Sequence, residues 1–161
     1  MRLRALDPHA DIELFHEAYN WRNSPKPHTS NGRMAFERFA SDSPDCVVMG
    51  LFNGDLCAVY MFIETAPKVF EAHFTARRGT DPAIVLAGAR TMVDWFHSQG
   101  AVVTAEIVAR NGPVRTFAET LGFTLQDCAC QDVESGSKLT TVKYLSRMEH
   151  NNLSDAPPVS T

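Results

Sequence analysis

The sequence predicts an α/β domain of the α+β kind, built on a mixed and mostly antiparallel twisted sheet. Three observations carry that expectation. Two β-rich runs flank Asn53-Gly54-Asp55, the strongest short-range signal for a hairpin. A long helical pattern over 83–99 lies between the strand-like runs 69–75 and 102–108, and a helical crossover of that length joins parallel strands. A shorter helix ending at Gly122-Phe123 then leads into two last strands. The chain has 161 residues, 44% of them apolar and 21% charged, which is ordinary for one globular domain with its own core.

The elements follow in order. Residues 1–6 alternate as an opening strand, and Asp7-Pro8 reads as an N-cap with proline in the first turn. Ile12, Phe15, His16 and Tyr19 recur at helical spacing, so a helix is expected over 8–20. Residues 23–31, with two prolines, read as a loop, and 34–40 as a short helix carrying Met34, Phe36 and Phe39. The hairpin strands are 46–52 and 56–63, Ala66-Pro67-Lys68 turns again, and 69–75 completes a meander. A loop over 77–82 opens the 83–99 helix, whose apolar Leu86, Ala89, Val93 and Phe96 share a stripe and whose end is marked by Gly100.

After the strand 102–108, Asn111-Gly112-Pro113 caps a helix to Leu121, and strands near 124–132 and 138–145 flank Ser135-Gly136-Ser137. The order is β-α-α-β-β-β-α-β-α-β-β, one domain over 1–148. Residues 149–161 form a tail rich in Asn, Ser, Asp and Pro, too polar to fold alone. It is a candidate contact for a second copy of the chain or another partner.

Net charge is −4 and no dense Lys/Arg cluster occurs, so no nucleic-acid partner is expected, since that footprint needs several cations on one face. No apolar run approaches the roughly 18 residues of a membrane span, and the first residues lack the apolar core of a signal peptide. A cytoplasmic setting with no membrane partner is therefore expected. Cys46, Cys57, Cys128 and Cys130 have no C-x-x-C spacing. They read as small buried hydrophobes, and no metal site is expected.

Two stretches carry candidate chemistry. In Glu71-Ala-His-Phe-Thr-Ala-Arg-Arg-Gly-Thr-Asp-Pro-Ala83, Glu71 and His73 are two apart on a strand and share a face. A carboxylate beside an imidazole suits general acid–base work near neutral pH. Glu64, near the end of the preceding strand, is a further carboxylate of that kind. Arg77 and Arg78 precede Gly79 just before a helix start, where free N–H groups and the helix dipole favour a small anion. In Asn111-Gly-Pro-Val-Arg-Thr-Phe-Ala-Glu-Thr-Leu-Gly-Phe123, the Asn111 amide suits the cap of the helix that follows.

Those two stretches, in that element order, resemble the GNAT superfamily of acetyl-CoA-dependent N-acyltransferases. Asn111 followed by Gly122-Phe123 is a signature of that family. The Glu71-x-His73 strand with Trp95 in the long helix is similar to the GNAT-like proteins of tailed bacteriophages. The likeness covers about 1–145, with most of its weight in 69–123. It implies that the strands flanking the long helix splay apart and that the pantetheine arm of acetyl-CoA, the co-substrate, enters between the strand ending near Thr75 and that ending near Val108. It implies further that a strand N–H serves as oxyanion donor, and that Arg77, Arg78, Gly79 and the amides near Ala83 hold the pyrophosphate. Asn111 would touch cofactor or substrate, and Glu71 or His73 would be the base. The amine acceptor is unidentified, its pocket built from the 21–33 loop and the strand ends.

The sequence also departs from the family. Asp81 stands where the family's loop has its middle glycine, and a carboxylate there caps the helix, occupies amides and repels a pyrophosphate. Ala118 stands seven residues after Asn111, where many members carry a tyrosine acid; neither it nor Phe117 can donate a proton. Tyr60 and Tyr144 lie on other expected strands. Three function classes therefore fit: an N-acetyltransferase, a non-catalytic phage virion or assembly protein with the same fold, and a module that binds CoA without turnover.

Overall fold

The structure, a computed structural model, describes residues 1–21, 37–39, 41–132 and 139–146. Strands β1 (Arg2–Ala5), β2 (Cys46–Asn53), β3 (Asp55–Ala66), β4 (Val69–Ala76), β5 (Val102–Val108), β6 (Phe123–Asp132) and β7 (Leu139–Ser146) form one sheet in the order β1-β2-β3-β4-β5-β7-β6. Its helices are α1 (Ile12–Tyr19), α2 (Pro82–Ser98) and α3 (Gly112–Thr120), and residues 37–39 are also helical. This is the order expected from sequence, in an α+β domain whose sheet is antiparallel except for the β4–β5 pair. The expected 34–40 helix is described only at 37–39. The 23–31 loop, the 135–137 turn and the 149–161 tail, with any partner contact it makes, lie outside the described residues.

Local chemistry sets most element ends. Gly54, at φ +77°, closes the β2–β3 hairpin between Asn53 and Asp55. Helix α2 begins at Asp81, whose carboxylate accepts the Ala83 N–H, with Pro82 in its first turn. It ends in a Schellman arrangement: Gly100 at φ +72° donates to the His97 carbonyl, and Ala101 donates to that of Phe96. Helix α1 starts later than the expected residue 8. The Asp7 carboxylate takes the N–H groups of His9 (2.8 Å) and Ala10 (2.7 Å), making a separate turn first. Arg4 of β1 then grips Asp11 through two nitrogens, at 2.8 and 3.1 Å, fixing the angle at which α1 leaves the strand.

The sheet buries both faces of its first half. One core lies under α2 and α3 and takes Tyr60, Phe62, Val85, Ala89, Phe96, Val103, Ala118 and Tyr144. There Phe62 and Phe70 pack on Phe96 at ring separations of 4.5 and 4.6 Å. Gly88 of α2 sits directly over Tyr60, whose hydroxyl donates to the Val85 carbonyl at 2.8 Å. A second core on the opposite face joins Phe15 and Ala18 of α1 and Phe39 to Val48, Val59, Met61 and Ile63 of β2 and β3. The polar side chains of β5 and β7 that point to this opposite face belong to neither core. No helix among the described residues is long and apolar enough to cross a membrane.

Candidate active site

The parallel β4–β5 pairing runs through Val69↔Val102, Phe70↔Val103 and Glu71↔Thr104 and then stops, although β4 continues to Ala76 and β5 to Val108. The two strands therefore part inside the sheet. On β4, Arg77 N–H bonds the Cys57 carbonyl of β3, while the Lys68 carbonyl accepts from Val102 of β5. Strand alternation then turns the N–H and C=O groups of Phe74 and Ala76, and the N–H groups of Glu106 and Val108, toward the gap. The Val108 carbonyl is already taken by the Asn111 N–H at 2.8 Å. Among the described residues no ladder bond reaches the Phe74 and Ala76 groups, which must find partners outside the sheet.

Side-chain alternation gives the slot two different faces. Toward α2 and α3 it is apolar: Phe74 of β4 meets Phe117 of α3 edge-on at 5.9 Å. Toward the other face point Glu71, His73 and Thr75 from β4, Thr104 and Glu106 from β5, and Thr141 and Lys143 from β7. The predicted pair Glu71 and His73 is thus brought to one place, with their side chains only 16% and 13% exposed. His73 Nε2 lies 2.9 Å from Glu71 Oε1. Nε2 makes no hydrogen bond of good geometry, so this buried nitrogen has no directed partner among the described residues. The imidazole nonetheless acts on the carboxylate across that distance. It holds the Glu71 carboxyl below its ordinary value, with His73 the largest cause, burial opposing and the Lys143 ammonium adding to it. Glu71 is therefore the member held ionised. Glu106 accepts the Thr141 hydroxyl at 2.6 Å.

The anion end of the slot is less open than the sequence motif implies. Arg77 turns back to Glu17 of α1 at 3.0 Å and lies 3.9 Å from Asp55. Arg78 is exposed and has no ion pair among the described residues. Gly79, at φ +88°, makes the turn in which Thr80 N–H reaches the Arg77 carbonyl. At the helix start, Ala83 N–H is held by the Asp81 carboxylate at 2.9 Å, and the Ile84 and Val85 N–H groups by the Asp81 carbonyl. Thr75 lies on the slot's polar face, and Asn111 caps α3 by accepting the Val114 N–H at 3.4 Å. Ala118 is buried. Tyr144, also buried, accepts from Arg115 Nε and donates to Glu119, both at 2.9 Å, so its hydroxyl is committed to α3. Tyr60 is committed to α2.

Sequence reasoning missed Thr104, Glu106, Thr141 and Lys143. Glu106 shares the parity of Thr104 on β5, a signal available in sequence. Nothing local places β7 beside β5, however, so Thr141 and Lys143 carried none.

No protein-family model matches the sequence, and no curated protein matches it. Solved structures do match. One is an acetyltransferase from Salmonella typhimurium that modifies the N-terminal serine of a 50S ribosomal subunit protein, with a TM-score of 0.71 at 13% identity over 91% of this chain and 94% of that one. Another is a mutant of the spermidine N-acetyltransferase SpeG from Vibrio cholerae, at 0.70 and 12% over 91% and 94%. A third is yncA, a putative acetyltransferase from Salmonella typhimurium with its cofactor acetyl-CoA, at 0.71 and 17% over 98% and 99%. At such identities the likeness shows the fold alone: the described residues have the GNAT architecture.

Proposed function

We propose that the chain is an acetyl-CoA-dependent N-acetyltransferase acting on a primary amine in the cytoplasm. The observation that carries this reading is the parted β4–β5 pair, whose orphaned backbone groups and flanking Glu71–His73 pair lie where an acyl donor and an amine would meet. The similar structures, one of them bound to acetyl-CoA, support the choice of donor. Acetyl-CoA would supply the activated acetyl group, its amide-bearing arm held along the edge of β4 and its phosphates near Arg78, Gly79 and the turn before α2.

The chain's own residues then have distinct tasks. His73 takes the proton that the acceptor nitrogen loses as the amide N–C bond forms and the thioester C–S bond breaks. The Glu71 carboxylate stabilises the imidazolium so formed. A β4 N–H in the gap, that of Phe74, donates to the thioester oxygen where charge develops. The slot's apolar floor, Phe74 against Phe117, keeps water from that side. Ala118 offers no proton and Tyr144 is already bonded, so the leaving sulfur is protonated by water.

Asp81 limits this site. Its carboxylate holds the Ala83 amide and adds negative charge beside the phosphates, at a cost on the order of 1 kcal/mol. Wild-type affinity for acetyl-CoA is expected to be weak, and Asp81→Gly to tighten it roughly fivefold while losing a few tenths of a kcal/mol of stability with the cap. Release of free thiol from acetyl-CoA in the presence of simple amines, measured for both proteins, checks this. A KM for acetyl-CoA unchanged by the substitution would remove Asp81 from the account, and no amine-dependent thiol release by either protein would remove the enzyme reading.

A second reading, retention of the fold without turnover in a phage virion or assembly protein, is favoured by the occupied Ala83 amide and the absent phenol at Ala118. It takes the lead if neither protein binds acetyl-CoA.

A further inference from the structure

The turn before α2 carries two arginines, and α1 holds one of them away from the anion end of the slot. The backbone of Arg77 is fixed at both ends: its N–H donates to the Cys57 carbonyl of β3, and its carbonyl accepts the Thr80 N–H. Arg77 thus sits within the turn that leads directly to Asp81 and the first amides of α2. Its side chain goes the other way. There Nη2 donates to Glu17 Oε1 of α1 at 3.0 Å, and Nη1 lies 3.9 Å from Asp55 Oδ2. The Glu17 carboxylate stands on a firm element, since Phe15 and Ala18 beside it are both buried in the second core. The guanidinium is the part free to move, on a long stem whose torsions leave the backbone in place. Both side chains are nearly half exposed, 46% for Arg77 and 44% for Glu17, and Asp55 is 92% exposed. Ion pairs so open to water are weak. A stronger anion at the turn can therefore take Arg77 from them.

We propose that Glu17 is a positioning residue that restrains the donor site: it holds Arg77 on α1, and the phosphates of acetyl-CoA compete with it for that guanidinium. This inference rests on the acetyltransferase reading and concerns how the donor end of that site is controlled. A pyrophosphate carries more negative charge than one exposed carboxylate and accepts an arginine fork at two oxygens. On donor binding Arg77 turns from Glu17 to the phosphates, and α1 loses its tie to the end of β4. Whatever the ion pair contributes in the free chain is subtracted from donor affinity. By linkage, a weaker Glu17–Arg77 pair gives a tighter donor, provided the donor carries phosphates. This restraint is separate from that of Asp81, which holds a backbone amide and leaves both arginine side chains alone.

The test is calorimetric titration of acetyl-CoA, S-acetylpantetheine and inorganic pyrophosphate into wild type, Glu17→Gln, Glu17→Ala, Arg77→Ala and the double variant Glu17→Gln/Arg77→Ala. Thermal unfolding of each protein confirms that it is folded. Both Glu17 variants are expected to bind acetyl-CoA and pyrophosphate roughly two- to fivefold more tightly than wild type, with S-acetylpantetheine, which has no phosphate, unchanged. Arg77→Ala should lose more affinity in the Glu17→Gln protein than in wild type, a coupling that a merely structural ion pair would not produce. Acetyl-CoA and pyrophosphate affinities unmoved in both Glu17 variants overturn the proposal, and so does an equal gain for S-acetylpantetheine. A gain that survives Arg77→Ala also overturns it, because removal of a negative charge would then act without the guanidinium. If no protein binds acetyl-CoA while pyrophosphate tightens as stated, the acetyltransferase reading falls and the hold of Glu17 on Arg77 stands. Acetyl transfer by wild type with no effect of either Glu17 variant removes this proposal alone, and no binding of either phosphate ligand by any of the proteins removes both.

Discussion

On the proposed mechanism, His73→Ala is expected to lower the acetyl-transfer rate roughly 100-fold near neutral pH, the usual loss for a positioned base, and to leave acetyl-CoA affinity nearly unchanged. Near neutrality most amines are protonated, so a group that removes a proton during attack has its largest effect there. The imidazole is mostly buried, its Nε2 carries no directed hydrogen bond, and Glu71 stands 2.9 Å away as an ionised partner. Glu71 itself is poorly suited to be the base, because His73 holds its carboxyl below the ordinary range. Glu71→Gln is therefore expected to lose less rate than His73→Ala, since it removes stabilisation of the imidazolium and leaves the acceptor nitrogen in place. Single-turnover rates across pH separate the two. A His73→Ala protein as fast as wild type near neutral pH, with Glu71→Gln inactive, would exchange the roles assigned to them.

The largest effect on stability belongs to Gly88→Ala. An added Cβ would stand 2.4 Å from the Tyr60 hydroxyl oxygen and 3.0 Å from its Cζ. Tyr60 cannot retreat easily, being fully buried, bonded to the Val85 carbonyl at 2.8 Å and edge-on to Phe74 at 5.3 Å. Overpacking of this kind costs about 3 kcal/mol, which for a domain of this size lowers Tm by roughly 6–12 °C. Tyr60→Phe removes the clashing oxygen at the expense of one hydrogen bond, about 1 kcal/mol. The double variant is thus expected to be more stable than Gly88→Ala alone, a non-additivity typical of residues in contact. Equal stability of the single and double variants would mean that α2 shifts as a unit and the clash is relieved elsewhere.

Much of this was legible from local signals. The Asn53-Gly54-Asp55 hairpin, the Asp81 cap, the stop at Gly100 and the helix between parallel strands all depend on residues near in sequence, and each lies where its residues put it. The start of α1 differs from the expected residue 8 because the Asp7 carboxylate, which suits a helix cap, closes a turn of its own. The site shows the same division. That Glu71 and His73 share a face follows from the period of a strand, which needs no partner. That Lys143 lies on the same face does not, because it joins them only through the insertion of β7 between β5 and β6. The place of Arg77 just before Arg78-Gly79 suggests a phosphate ligand, yet its side chain is drawn to Glu17, 60 residues earlier in the chain. No local pattern foretells that contact.

Hydrogen exchange at the parted strands tests the central claim most directly. The amides of Phe74 and Ala76 point into the gap and have no partner within the sheet, so they exchange readily in the free protein. At saturating acetyl-CoA, in wild type and in Asp81→Gly, exchange at these amides and at the Arg78–Gly79 turn is expected to slow, while β1 and β2 are unaffected. Unchanged exchange at Phe74 and Ala76 with acetyl-CoA bound would contradict the account, because the donor would then lie outside the slot on which the proposed chemistry depends.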